Sequence, residues 1–260
     1  MGISAVIITF NEAEKIGDCI RSVSWADEVV VVDSHSSDDT RQIAESLGAR
    51  VIERDWPGFG EQKQFATDSA LNDWVFSIDA DEVVSKELEA EIAGLDLSTA
   101  DAFRMPRLSH YLGKPIHHGS WYPDSQIRLF DRRKCNWSLD AIHESVKVPS
   151  GSIKDLKSEL LHYNSEGILH HAQMIYERYA PLGAEKLKQK GRKVTFWHLL
   201  LSGPATFVSG YILKFGFLDG IRGLLIAVFA GYNTFLKNAL RYEQQINESE
   251  FASSNSTTEL

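Results

Sequence analysis

Asp79, Asp81 and Glu82 fall within four residues of one another, directly after the apolar run Trp74-Val75-Phe76-Ser77-Ile78. The run reads as a short buried strand, so the carboxylates sit where the chain leaves the core. Like charges this close repel, and burying them unpaired is costly. Mg2+ or Mn2+ would relieve that repulsion, because hard divalent ions take oxygen ligands. The plainer alternative is an acidic turn before a helix, where carboxylates favour the positive end of the dipole.

Composition narrows the partners. The chain has 260 residues and a formal net charge of −9, which excludes the basic footprint of a nucleic-acid binder. The acidity is uneven. Arg104, Arg107, Lys114, Arg128, Arg132, Arg133 and Lys134 make the middle basic, which suits an anionic substrate bridged to the acidic site by a metal. Cys19 and Cys135 lack metal-ligand spacing and read as reduced thiols. Met1-Gly2-Ile3-Ser4 leads straight into a strand without a basic leader, so a cytoplasmic, non-exported protein is expected.

The elements around the acidic turn follow from patterning. Ser4 to Thr9 is a nearly continuous apolar run, as for a central strand covered on both faces. A helix over Ile16 to Val23, a strand over Glu28 to Val32, a helix over Thr40 to Leu47, a strand over Arg50 to Glu53 and a helix over Phe59 to Ala70 come next. Gly48 suits a helix C-cap. Strand–helix alternation with short connections predicts an α/β fold with a mostly parallel central sheet flanked by helices. Ligands of such sheets bind beyond the carboxyl ends of the strands, where Asn11, Asp33 and Asp79 to Glu82 are placed.

From Ala102 to Val148 short antiparallel strands are expected, followed by one strand over 153–163. A domain over 1–165 would then give way to a C-terminal helical region over 166–245 and a disordered tail over 246–260. Within the helical region, Phe196 to Leu213 is apolar but interrupted by Gly203-Pro204, and Phe217 to Leu236 carries only Asp219 and Arg222. The flanking cations favour helices lying on a membrane surface over helices spanning it. Docking on the domain, or a homo-oligomer contact, is the alternative use of the same apolar faces.

Several motifs occur in a telling order: Val6-Ile7-Ile8-Thr9-Phe10-Asn11-Glu12, then Val29 to Val32 with Asp33-Ser34-His35-Ser36-Ser37-Asp38, then Asp79-Ala80-Asp81. Over residues 3 to 165 this resembles the glycosyltransferase family 2 nucleotide-sugar domain, the GT-A fold. Trp56-Pro57-Gly58-Phe59-Gly60-Glu61-Gln62-Lys63, Trp121-Tyr122-Pro123-Asp124, Gln126 to Phe130, Ile142-His143-Glu144 and Leu218-Asp219-Gly220 are similar to lipopolysaccharide core β-1,4-glucosyltransferases of the WaaE/KdtX type. The resemblance implies transfer of glucose from UDP-glucose to heptose of the inner core, at the cytoplasmic face of the inner membrane.

On that resemblance, Asp33 meets the uracil or ribose, with Thr9, Asn11 and Glu12 beside the same pocket. Capping of the following helix falls mainly to Ser37 or Asp38. Asp81 is the first choice as metal ligand, Asp79 serves the ribose or the metal, and His162 completes the ligand set. Glu82 is the doubtful acid, since carboxylates are common at helix starts. Inverting transfer needs one general base, and Glu144 is preferred to Asp124, with His143 positioning the carboxylate or the acceptor. Lys63 and Arg128 are expected to meet the diphosphate or an anionic acceptor, the alternative for Arg128 being a structural ion pair with one of the nearby carboxylates. Trp121, Tyr122 and Trp137 can stack on sugars or simply pack.

Other readings keep different features. A polyprenyl-phosphate glycosyltransferase would use the same apolar helices. A sugar nucleotidyltransferase should carry a Gly- and Arg-rich loop where Thr9-Phe10-Asn11-Glu12 stands. A non-catalytic cation-binding module leaves Asp33 and His143-Glu144 unexplained.

Overall fold

The computed structural model describes residues 2–138, 144–149, 151–163 and 167–257, the side chains from 250 onward excepted. The chain divides into two compact units, Met1–Ser109 with Pro123–Asn164, and His110–Tyr122 with Ser165–Leu260.

The first unit alternates strands and helices: β1 (Ile3–Thr9), α1 (Ile16–Ser22), β2 (Glu28–Asp33), α2 (Thr40–Ser46), β3 (Arg50–Glu53), α3 (Phe59–Asp68), β4 (Trp74–Asp79), β5 (Glu82–Val84) and α4 (Lys86–Ala93). Then come β6 (Ala102–Tyr111), whose last two residues belong to the second unit, β8 (Asp124–Asp131), β9 (Asn136–Trp137), β10 (Val146–Lys147), β11 (Ile153–Asp155) and β12 (Leu160–His162). The sheet order is β3-β2-β1-β4-β8-β6-β12-β5. β1 pairs in parallel with β2 and β4, as the unbroken apolar run predicts.

Alternation along β1 builds two cores. Ala5 and Ile7 join Ile16, Cys19, Phe76 and Leu88 on one face, while Val6 and Ile8 join Val30, Val75, Phe130 and Trp137 on the other. A strand walled in on both sides is rigid, and its end is a firm platform for chemistry.

The region after Ala102 differs from expectation. β6 and β8 are long and antiparallel, but β11 and β12 are two strands, both parallel to β6. The break between them has a local cause. The N–H groups of Lys157 and Ser158 donate to the Glu91 carboxylate instead of continuing a ladder.

The second unit holds β7 (Lys114–Pro115), which pairs with His110 and Tyr111, followed by α5 (Ile168–Met174), α6 (Ala180–Gln189), α7 (Phe196–Val208) and α8 (Gly220–Thr257). Gly203-Pro204 does not interrupt α7. Gly203 instead marks a close crossing, because a Cβ there would stand 3.1 Å from the Gly231 carbonyl oxygen on α8. Composition predicts disorder from residue 246, yet α8 continues to Thr257. An established helix gains one hydrogen bond for each residue it adds, so polar residues without Gly or Pro can follow it. Among the described residues no helix is long and apolar enough to cross a membrane.

Asp219 organises the 110–122 segment of this unit. It accepts hydrogen bonds from the His117 and His118 backbone N–H groups at 3.3 and 2.9 Å, and lies 3.1 Å from the His118 ring. Arg222 donates to the Tyr111 and Leu112 carbonyls. Trp121 packs edge-on to Tyr111 at 5.3 Å, within a cluster that includes His171. Burial and the nearby His170 push the His171 imidazole down to about 4, so it is neutral near pH 7.

Candidate active site

Register brings the candidate donor residues together. Thr9 pairs with Asp33, and Ile8 pairs with Asp79, so the carboxyl ends of β2, β1 and β4 stand side by side. β2 and β3 lie on one flank of β1 and β4 on the other, which makes this end of the sheet a topological switch point.

Asp33 is fully buried and accepts the Ser36 N–H at 2.8 Å together with the Ser36 hydroxyl. Asn11, in the left-handed region at φ 54°, accepts the Ser37 N–H at 2.8 Å and donates its own N–H to the Ser36 hydroxyl. The two residues thereby shape one turn. Asp38 accepts from the Thr40 N–H at the start of α2 and from the Ala13 N–H, while Asp39, the N-cap residue itself, makes no side-chain capping bond. The Glu12 carboxylate pairs with Lys15 at 3.3 Å, and its N–H donates to Thr40. Beside this turn, Thr9 Oγ1 and Gln62 Oε1 are buried without a hydrogen-bond partner among the described residues. Gln62 Nε2 is held by the Ser34 hydroxyl at 3.1 Å. Buried polar atoms left unpaired favour a polar ligand or water at this strand end.

The acidic turn is largely neutralised from within the protein. Asp79 receives Lys63 at 3.0 Å on one oxygen and Arg128 at 2.8 Å on the other. Burial works against its charge, but Arg128 and Lys63 hold its carboxyl well below the usual range. Glu82, fully buried, accepts from Arg128, from Arg107 at 3.2 Å and from the Asp79 N–H at 3.0 Å. The Asp124 carboxylate is held by Arg107 and by the Gln126 amide. Glu144 pairs with Lys63 at 3.3 Å, and Lys63 also stands 5.0 Å from the Trp137 ring centre. His143 lies outside the described residues.

Some expectations change here. Arg128, expected at a diphosphate, is 3% exposed and committed to Asp79 and Glu82. Glu144 lies two residues before β10, and residues 139–143 just ahead of it lie outside the described residues. Trp137 is a core residue, edge-on to Phe130 and donating to the Thr67 hydroxyl. Glu82 is no mere helix-start acid. Ala80, Glu82 and Val84 are all buried, so period-two reading of this stretch would have turned Glu82 inward. Arg107 carries no such local signal. Its partner Asp124 faces it only through the β6–β8 register.

A divalent ion still fits. Asp81 and His162 form a separate pair, with carboxylate Oδ2 and imidazole Nε2 3.3 Å apart. Adjacent ligands of an octahedral ion stand about 3 Å apart when its bonds are about 2.1 Å. The Ser109 hydroxyl, 3.3 Å from His162 Nδ1, orients the ring, as outer-shell partners of metal-binding histidines do. Burial would raise the Asp81 carboxyl, but His162 outweighs it and holds the acid below its usual range, anionic and ready for a cation. Asp79, expected as a further ligand, is taken up by its two cations. Among the described residues no group of three or more acidic, His or Cys side chains is arranged around one point. Two protein ligands suffice for an ion that keeps water and binds substrate phosphates.

Residues 4–139 match the family described as glycosyl transferase family 2. A glycosyltransferase of Rickettsia bellii (strain RML369-C), described as uncharacterized, is 57% identical over 259 residues, covering 91% of this chain and 85% of the relative. The lipopolysaccharide core biosynthesis glycosyltransferase LpsC of Rhizobium meliloti (strain 1021) is 27% identical, covering 95% of this chain and 96% of LpsC. Among solved structures, mannosyl-3-phosphoglycerate synthase from Rubrobacter xylanophilus shares the fold at a TM-score of 0.50 and 20% identity, over 75% of this chain and 77% of that one. A strand-end site of this kind, on a mixed α/β sheet with flanking helices, agrees with that assignment: the chain belongs to glycosyl transferase family 2 and is a glycosyltransferase.

Proposed function

We propose that this glycosyltransferase moves glucose from UDP-glucose to a heptose of the lipopolysaccharide inner core, inverting the anomeric centre, with Mg2+ or Mn2+ as cofactor, at the cytoplasmic face of the inner membrane. The observation that carries the donor half is the Asp81–His162 pair beside the Thr9–Asp33 strand ends. The acceptor class is supported by the relative LpsC, whose name assigns that protein to lipopolysaccharide core biosynthesis.

Asp33, Thr9 and Asn11 line the end of the sheet that takes the nucleotide. Asp81 and His162 would hold the divalent ion, which when bound stabilises the charge gathering on departing UDP. Glu144 is the general base. Asp124 has both oxygens engaged by Arg107 and Gln126, whereas Glu144 among the described residues is bonded by Lys63 alone. The acceptor hydroxyl gives its proton to Glu144 as its oxygen bonds the anomeric carbon. The bond to the UDP oxygen breaks with its electron pair leaving on UDP. A single displacement of this kind inverts the centre. Lys63, touching Asp79 and Glu144 together, ties the donor side of the site to the base.

A screen of UDP-sugars against heptose-containing core acceptor, with Mn2+ or Mg2+, tests this directly. Transfer from UDP-glucose is expected, with kcat falling by about 10²–10⁴ in Glu144→Gln and less in Asp124→Asn. Full activity in Glu144→Gln would overturn the base. Transfer from no UDP-sugar would overturn the donor and acceptor.

A further inference from the structure

We infer that the α7–α8 face of the second unit is the surface that seats this protein on an anionic membrane, with a groove that takes a phospholipid acyl chain. The inference rests on the membrane placement proposed above and names the residues that would make it.

α7 carries no charged residue, only His198 among its polar side chains with titratable character. Phe196 and Trp197 are each 64% exposed and Leu200 51%, although side chains of this size normally find cover. Between the two helices runs a groove of about 710 Å³, walled by Leu199, Gly203 and Phe207 of α7 and by Val228, Gly231 and Phe235 of α8. The Gly203–Gly231 crossing brings the backbones close enough to form its floor. Past α7, Leu213, Phe215 and Phe217 are exposed as well. Exposed apolar side chains in this number mark an interaction site.

Charge identifies the occupant. Lys190, Arg192 and Lys193 precede α7, and Lys214 lies beyond the helical turn Ser209–Leu213 that follows it; all four are exposed. None of them is ion-paired among the described residues, in a chain whose net charge is −9. Cations bracketing an apolar, aromatic-rich face match a layer of anionic headgroups over acyl chains. A second copy would bring the same cations to the same surface, where like charges repel. With no described helix able to span a bilayer, the face lies on the membrane rather than through it.

Co-sedimentation of the full chain with phosphatidylglycerol/phosphatidylethanolamine vesicles, and with phosphatidylcholine vesicles, tests the surface. Val228→Glu, which places a charge in the groove wall, tests the groove, and lipids brominated in mid-chain report insertion of the face through quenching of Trp197, with Trp197→Phe as the reference. Binding to the anionic vesicles is expected, with quenching that Trp197→Phe lacks. Leu200→Glu and Val228→Glu should each abolish it. Lys190→Glu/Lys193→Glu/Lys214→Glu should weaken it by at least about tenfold, since each basic residue near an anionic surface contributes roughly a fivefold factor. Circular dichroism and UDP-glucose hydrolysis in solution should stay unchanged in folded variants, which separates this surface from the catalytic proposal. Absent vesicle binding, or unchanged binding in both Glu variants, would overturn the inference. So would conversion of a dimer to monomers by Leu200→Glu with vesicle binding intact, which would make the face a subunit contact.

Discussion

Arg128 Nη2 lies 2.8 Å from Asp79 Oδ2, with the arginine side chain 3% exposed. The acid that ends β4 is therefore balanced by a cation rooted in β8, the antiparallel neighbour of β4. Burying two charges together is tolerable only while both remain. Arg128→Met should cost about 3–5 kcal/mol in urea unfolding, because it strands Asp79 and Glu82 with less compensation. A loss below about 1 kcal/mol would mean that Lys63 and Arg107 carry the neutralisation without it.

Metal dependence should follow Asp81 and His162 rather than Asp79. Asp81→Asn and His162→Gln are each expected to raise the Mn2+ concentration needed for half-maximal UDP-glucose hydrolysis by at least about tenfold. Chelation with EDTA should stop the wild-type reaction, and added Mn2+ should restore it. Metal titration curves that coincide for wild type and both variants would remove the pair from the metal site.

Glu28 gives a pH signature remote from the catalytic cluster. Its partial burial favours the neutral acid, but the Leu71 N–H, Arg50 and Ser4 together hold the carboxyl below its ordinary value. A lowered folded-state value contributes stability that is fully present above the unfolded value of about 4.3. That contribution is lost as pH falls through the folded value. Glu28→Gln should therefore be less stable than wild type at pH 7, by about 1–2 kcal/mol. The gap should close as the pH is lowered from 5 toward 3, as followed by urea midpoints at each pH.

Asp219 should act locally. Replacing it with Ala removes the acceptor of two backbone N–H groups, so amide exchange at His117 and His118 should quicken by about tenfold or more. Unchanged exchange at both positions would show that Arg222 and the Tyr111–Trp121 packing hold the segment unaided.

Much of this was legible in the residues. The apolar run to Thr9, the runs ending at Asp33 and Asp79, and Gly48 at φ 84° follow directly from patterning and turn chemistry. Asp33, Asp79 and Asp81 as strand-end acids needed nothing further, because a parallel sheet gathers the carboxyl ends of its strands on one side. The family follows from the order of those same motifs.

Tertiary structure decided who neutralises whom. Arg107 and Asp124 are 17 residues apart and meet through strand register, and Lys63 reaches Glu144 across 81 residues. Such pairings have no local period, so spacing cannot foretell them. The acids that end the fourth strand looked like a site in need of a metal. The fold assigned Asp79 and Glu82 to internal cations and left Asp81 with His162. Sequence alone determines the strand ends and the chemistry available there, since both depend on local patterning. Only the packed sheet divides that chemistry among partners, because charge compensation depends on distance in space.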